Sequence, residues 1–276
     1  MTTAYPFVIR LGSLEITGYG IMMMVGFLVG GWIIDRDLRR RGLNPEYASD
    51  IVFAAVIGGI VGAKLWYVAL HGPEALFSRG GLVWYGGFLG GALGVAIAGW
   101  LKKVPFWWTA QLTAPALPAA YALGRAGCFM VGDDYGIPTT VPWAVAFPQG
   151  LPPSTAGQLA SFGWTPPPGM DPSTVLAVHP TQLYEVVLMT AAFLVIWRWS
   201  ARPFGTGWLF GVYLAMAGVE RFIVEIFRAK DDRFLAGFTV AQATSVALLV
   251  IGLAIIATRL RAGQVAPGAY LEQRSR

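Results

Sequence analysis

Between Tyr121 and Gly136 the chain reads YALGRAGCFMVGDDYG, which places Arg125, the lone thiol Cys128 and two adjacent carboxylates, Asp133 and Asp134, among Gly124, Gly127, Gly132 and Gly136. A guanidinium presents a planar fork that matches phosphate oxygens two at a time, so an arginine beside an apolar run makes an anion clamp. The same arginine can instead reach out to lipid headgroups and serve only as an anchor. Glycines at this spacing let backbone come close to a ligand or to another helix. The stretch alone favours neither reading.

Two further constellations bear on it. In His179-Pro-Thr-Gln-Leu-Tyr-Glu185, Pro180 suits a first helical position, where its missing N–H costs nothing. Gln182 and Glu185 then fall three apart on one helix face, with Tyr184 between them in sequence and His179 just above. This is either a polar helix entrance or a set of companions for Arg125. In the run from Glu220 to Arg228, Arg221 and Glu225 are four apart, and Glu225 and Arg228 three apart. Such spacing stacks charges along one face, as a structural ion ladder or as a second anion clamp aimed by Glu225. Lys64, Arg125 and Arg221 all fall inside or at the lip of apolar segments. Charges at that depth cost a few kcal/mol or more and face a cavity or a partner, and three together point toward an anionic ligand. The two histidines, His71 and His179, stand on separate segments and make a poor metal-ligand set. One cysteine excludes an intrachain disulfide and says nothing about the redox compartment.

The elements that must position these groups are membrane helices. Hydrophobic residues make up 55% of the chain and charged residues 13%, with a mean hydropathy of +0.57, outside the range of soluble globular domains. A span needs roughly 20 apolar residues, and seven segments qualify: 17–35, 48–70, 82–101, 105–123, 180–199, 206–227 and 238–258. The expectation is an all-α integral membrane protein of about seven transmembrane helices, a single polytopic domain over residues 1–276. Pro115 and Pro118 should kink the fourth span or leave carbonyls unpaired. No basic start followed by an apolar core precedes the first span, so no cleavable signal is expected.

Loop cations set the orientation. Arg36, Arg39, Arg40, Arg41, Lys102, Lys103, Arg198, Arg202, Arg259, Arg261, Arg274 and Arg276 fall on one side, against Arg10, Arg79, Arg228, Lys230 and Arg233 on the other. The first group should be cytoplasmic, with the N-terminus outside and the C-terminus inside. Asp231 and Asp232 count for little in this rule. Residues 137–179 then form an extracytoplasmic segment whose proline density argues against regular helix and for turns, with short strands near VPWAVAF. Trp143, Phe147, Phe162 and Trp164 favour an ordered segment resting at the membrane surface. Residues 262–276 read as a short polar cytoplasmic tail. The GxxxG-like pairs signify close helix packing and no more.

Taken together, Tyr19-Gly20, GGIVGAKLWYV, GLVWYGG, GRAGCFMVGDDYG, HPTQLYE and ERFIVEIFR, in that order, resemble the bacterial prolipoprotein diacylglyceryl transferase family over most of the chain. The resemblance implies an inner-membrane enzyme of seven helices that moves the diacylglyceryl group of phosphatidylglycerol to the lipobox cysteine thiol of prolipoproteins. By motif match it implies catalytic roles for Arg125, Arg221, Asp133 and Glu225, with Tyr85 at a position often held by histidine before the glycine pair Gly86-Gly87. It implies substrate contacts at Tyr19, Lys64, Gly86, Gly87, Gly124, Gly127, Gly136, His179, Gln182, Tyr184 and Glu185. Neither a metal, a cofactor nor a nucleic-acid partner is expected; the expected partners are phosphatidylglycerol, prolipoproteins and the bilayer. The chain departs from the family pattern at Cys128, where asparagine is usual, at Asp133, where glutamate is usual, at Tyr85, and at Lys64, where arginine is common. For the proton of the acceptor thiol three schemes stand: Tyr85 as phenolate; His179, Asp133 or Glu185 as base; or the arginines favouring the thiolate without a dedicated base. A non-catalytic lipid- or lipoprotein-binding relative and an anion transporter are the competing functions.

Overall fold

The protein, a computed structural model, is described over residues 2–12, 14–77, 81, 83–229, 233–235 and 238–273. Arg79, Lys230, Asp231, Asp232, Arg274 and Arg276, which enter the charge count above, lie outside the described residues. The helices are α1 Gly18–Arg40, α2 Glu46–His71, α3 Trp84–Leu101, α4 Phe106–Thr113, α5 Ala116–Val131, α6 Ala156–Ser161, α7 Thr181–Trp199, α8 Trp208–Glu225, α9 Val240–Ala262 and α10 Ala269–Glu272. The strands are β1 Thr2–Thr3, β2 Val8–Leu11, β3 Leu14–Thr17, β4 Val145–Ala146, β5 Ala177–Val178, β6 Arg233–Leu235 and β7 Phe238–Thr239. Helix therefore dominates, and six of the seven apolar segments expected to span each coincide with one helix, while 105–123 is divided between α4 and α5. Four helices, α1, α2, α7 and α9, are long and apolar enough to cross a membrane; α3 and α5 carry shorter apolar stretches.

Two compact units emerge. The first comprises Met1–Leu28, Leu117–Arg202 and Gly211–Ala257; the second comprises Val29–Ala116, Pro203–Phe210 and Thr258–Arg276. In the first, Ala122, Met189 and Ala192 form a buried knot between α5 and α7, closed by Tyr121, Met216 and Ala217. The start of α1 lies directly on α5, since a Cβ at Gly127 would stand 2.9 Å from Met22 Cβ and 3.0 Å from Tyr19 Cα. The 137–179 segment has its own core of Val145, Phe147, Leu159 and Val178, joined by Tyr135 and Ala229. A three-stranded sheet of order β1–β4–β5 runs through it, parallel between β1 and β4 and antiparallel between β4 and β5.

This segment corrects one expectation. Despite the prolines it contains a helix, α6, because the prolines flank it and Thr155 caps it by accepting from Gln158 N–H at 3.3 Å. Of its aromatic residues, Trp143 is exposed, but Phe147 is 1% exposed and Phe162 and Trp164 pack on the same core. Phe147, Phe162 and Trp164 thus hold the segment together. The expected short strand in VPWAVAF is β4.

In the second unit, α2 and α3 touch backbone to backbone along Gly58, Gly62, Gly86, Gly90 and Gly94. The tail is more than a polar end. Leu271 is fully buried, Trp108 Nε1 donates to Val265 O at 2.8 Å, and Tyr270 donates to Asp50 Oδ2 at 2.6 Å. The fourth expected span breaks at Pro115 into α4 and α5, as the missing proline N–H dictates. Pro118 is harmless in the first turn of α5.

Candidate active site

The site is built where α5 ends. This helix runs past the expected boundary at residue 123 as far as Val131, so Arg125 and Cys128 are helical instead of lying in a junction. The helix stops in a left-handed turn at Gly132, φ +71°. There Gly132 N–H bonds Phe129 O at 3.2 Å and Asp133 N–H bonds Cys128 O at 3.2 Å, the pairing of a Schellman cap. A side chain at 132 would also meet Phe147 Cδ1 at 2.8 Å. The turn throws Asp133 and Asp134 back toward the helix that carries Arg125.

Arg125 is the hub. Its Nε donates to Glu185 Oε2, and Nη2 forms an ion pair with the same carboxylate. Glu185 is fully buried on α7 and accepts a second bond from Tyr121 Oη at 3.0 Å. The other edge of the guanidinium remains: Nη1 donates to Asp134 Oδ2 at 2.9 Å and lies 3.5 Å from Cys128 Sγ. A buried carboxylate thus fixes one face of Arg125 and aims the other at the loop.

The end of α7 is tied to that loop. Thr181 Oγ1 donates to Asp134 O at 2.8 Å, and Gln182 Nε2 donates to Asp133 O. Gln182 is fully buried and its Oε1 has no hydrogen-bond partner. Gly136 N–H bonds His179 O at 2.8 Å, and a Cβ at 136 would collide with Phe227 O and with His179 Cβ at 2.9 Å. Glycine is required there by this close approach. His179 Nδ1 lies 3.0 Å from Tyr184 Oη, which also accepts from Trp143 Nε1 at 2.8 Å. Burial lowers the pKa of His179, keeping its ring neutral at pH 7.

The far end of α8 closes the cluster. Arg221 Nη2 stands 2.6 Å from Glu225 Oε2, and Glu225 is 1% exposed. Arg228 Nη2 donates to Asp134 Oδ1 at 2.6 Å and its Nε lies 3.9 Å from Glu225 Oε2. Arg125, Arg228 and, through Glu225, Arg221 thus belong to one chain of charges. Partial burial opposes ionisation of Asp134, but Arg228 and Arg125 outweigh it and bring its pKa down to about 2. Asp133 moves the opposite way, raised by burial and then by the neighbouring Asp134 charge.

The carboxylates that pair with Arg125 are Glu185 and Asp134. Asp133 turns toward Cys128, so that Cys128 Sγ and the carboxylate oxygens of Asp133 and Asp134 lie within 4.8 Å of one another. Both oxygens of Asp134 are already held by guanidiniums, so the local charge suits an anion better than a metal cation. Arg228, expected as a loop charge and as the far member of the ladder with Glu225, also reaches Asp134, and Tyr121, given no role by the sequence, bonds Glu185. A Cβ at Gly124 would stand an ordinary 3.6 Å from Met23 Sδ, and Tyr19 is exposed on the first turn of α1. Tyr85, Gly86, Gly87 and Lys64 belong to the second unit. There Tyr85 is 60% exposed with its ring 6.4 Å from that of Trp66, Lys64 Nζ sits 5.4 Å from the Tyr67 ring, a Cβ at Gly86 would collide with Gly62 O, and one at Gly87 would lie 3.5 Å from Ala63 Cβ.

The sequence is matched outside the chain. Residues 6–258 fit the family described as "Prolipoprotein diacylglyceryl transferase". The chain belongs to that family. It is 35% identical to the phosphatidylglycerol–prolipoprotein diacylglyceryl transferase of Geobacter sulfurreducens, over 94% of this chain and 97% of that protein. It is 32% identical to the proteins of the same name from Solidesulfovibrio magneticus, over 92% of this chain and 94% of that one, and Stenotrophomonas maltophilia, over 95% and 94%. The resemblance carried by the six motifs is therefore borne out, and the chain is a mostly helical membrane protein of a bacterial transferase family.

Proposed function

We propose that this chain transfers the diacylglyceryl group of phosphatidylglycerol to the lipobox cysteine thiol of prolipoproteins. The cysteine sulfur bonds to the glycerol carbon, and the carbon–oxygen bond to phosphate breaks. Glycerol phosphate leaves with the electron pair, and the thiol proton is released. The product is a thioether.

One observation carries this reading: the Arg125 side chain, 12% exposed, is fixed on one edge by the fully buried Glu185 and presents its other edge to an anion, there the part-exposed carboxylate of Asp134. A guanidinium positioned beforehand, away from bulk water, stabilises phosphate as negative charge develops on the leaving oxygen. Arg221, aimed by Glu225, supplies further positive charge, and Asp133 shapes the loop beneath Cys128. Glu185 and Gln182 hold the loop and the arginine, while His179 and Tyr184 frame its outer edge. Tyr19, Gly124, Gly127 and Gly136 set the approach of α1 and the loop to α5. Tyr85, Lys64, Gly86 and Gly87 contact substrate, with Tyr85 hydrogen bonding and positioning. Thiolate is the effective nucleophile, and the arginines favour it sufficiently that no dedicated base is needed.

In this reading the helices make seven membrane spans in the bacterial inner membrane, as one polytopic domain. The N-terminus lies outside, residues 137–179 form an extracytoplasmic head that admits the lipobox region, and residues 262–276 are cytoplasmic. Incubation of the purified chain with phosphatidylglycerol and a lipobox peptide tests it. Mass spectrometry should find the peptide heavier by one diacylglyceryl group, resistant to thioester cleavage. Peptide recovered unmodified from folded protein would defeat the proposal.

A further inference from the structure

Asp134 meets two guanidiniums at once: Oδ2 accepts from Arg125 Nη1 at 2.9 Å and Oδ1 accepts from Arg228 Nη2 at 2.6 Å. Two oxygens of one anion, each on its own arginine, is also how a phosphate would occupy this pair. The three carboxylates around these arginines differ sharply in freedom. Glu185 is fully buried and held by Tyr121 as well, and Glu225 is 1% exposed. Asp134 is 44% exposed, whereas both arginines it neutralises are 12% exposed. Its backbone is in the left-handed region, φ +56°, in the loop beyond α5. Of the three, only Asp134 can exchange its partners for water without abandoning a charge in the interior.

We infer that Asp134 is an exchangeable counter-anion, occupying the phosphate position of the empty site and turning out when a lipid phosphate takes its place on Arg125 and Arg228. The inference rests on the proposed function for the nature of the lipid, and it makes Arg228 a second phosphate contact. Neutralising the two arginines in the empty site avoids leaving them unpaired, and the same carboxylate then competes with ligand. Its return also helps expel the glycerol phosphate left after transfer.

The test is binding of phosphatidylglycerol to the full-length protein in uncharged maltoside micelles, without acceptor peptide. Asp134→Asn should bind the lipid about three- to fivefold tighter, the scale of losing one partly exposed competing ion pair. Asp133→Asn removes the same charge from the same loop but no guanidinium partner, and should tighten binding less than about twofold. Glycerol phosphate and inorganic phosphate, titrated in place of lipid, separate the sources. Tightening confined to phosphatidylglycerol supports a lipid headgroup as occupant, and tightening for all three supports exchange with phosphate in general. Should Asp134→Asn fail to fold, Arg228→Gln gives a second reading, with binding about tenfold weaker. Unchanged or weaker lipid binding in folded Asp134→Asn, equal tightening in Asp133→Asn, or undiminished binding in folded Arg228→Gln would overturn the inference. Because no transfer is measured, failure of the transferase reading alone leaves these outcomes distinct.

Discussion

The polar cluster at the end of α5 and the α2–α3 seam are built by opposite means. In the cluster, separation is set by charge: Glu185, Asp134 and Glu225 hold Arg125, Arg228 and Arg221 at hydrogen-bonding or ion-pair distance. In the seam, separation is set by absence of side chains: a Cβ on Gly90 would meet Gly58 O and stand 2.7 Å from Gly62 Cα. Within an apolar solvent, packing of small residues carries helix association because burial of apolar surface contributes little. The seam should therefore fail through shape and the cluster through charge.

The largest effect is expected in the seam. Gly90→Leu places a side chain against backbone that cannot yield, and should cost upward of about 4 kcal/mol, read as loss of folded protein in detergent. Gly87→Ala, where a Cβ finds an ordinary contact 3.5 Å from Ala63 Cβ, should change stability by less than about 1 kcal/mol. Equal tolerance of both variants would mean that the seam is not shape-determined.

Next is a rate effect without a folding effect. Glu225→Gln leaves the shape of α8 intact and removes the charge 2.6 Å from Arg221. The transfer rate should fall roughly 10-fold, about 1.4 kcal/mol of barrier, with thermal unfolding near that of the parent. Unfolding at markedly lower temperature with normal turnover would instead make Glu225 a purely structural partner. Tyr85→Phe should likewise keep measurable activity, lowered about 10-fold, since only positioning is asked of it. Complete inactivity of that folded variant, with Tyr85→His active, would make position 85 the base.

That the glycine pairs mean close helix packing was readable in the sequence because their four-residue spacing is local; that they join α2 to α3 was not. The cluster was also readable only in part. Arg125, Glu185 and Glu225 announced themselves as charges in or beside apolar runs. Arg228 and Asp134 lay beyond those runs, and their pairing joins residues 94 positions apart. The end of α5 was misplaced for a physical reason: glycine disfavours helix locally, yet Gly127 is required where α5 meets Tyr19 and Met22. Similarly, the aromatic residues of 137–179 signalled order, but whether they faced a membrane or their own core depended on β1 arriving from the N-terminus to complete the sheet.

A smaller effect concerns accessibility of that head. Ser161 is exposed, whereas Ser154 is fully buried and bonds Phe147 N–H and Leu176 O. With Cys128→Ala as background, Ser161→Cys in spheroplasts should react with an impermeant thiol reagent and Ser154→Cys should not. Labelling of Ser161→Cys only after lysis would invert the orientation.

The smallest effect is on acid stability. Asp134 has its pKa depressed from 3.8 to about 2 in the folded protein. Its stabilising contribution is therefore complete above about pH 4 and is lost as pH falls from there through 2. Asp134→Asn should flatten the stability profile across that window only, and by a modest amount because the carboxylate is 44% exposed. A parent–variant difference that still changes with pH above about 5 would contradict this pairing.

The central claim is that the edge of Arg125 turned away from Glu185 grips the phosphate that leaves. Its most direct test is steady-state turnover of Arg125→Lys with phosphatidylglycerol and a lipobox peptide. Lysine keeps the charge beside Glu185 but loses the planar fork. The account predicts a folded enzyme with turnover reduced by about 10²–10³-fold, the scale of removing one pre-aimed donor. Turnover within a few-fold of the parent would contradict it and leave Arg125 as a headgroup anchor.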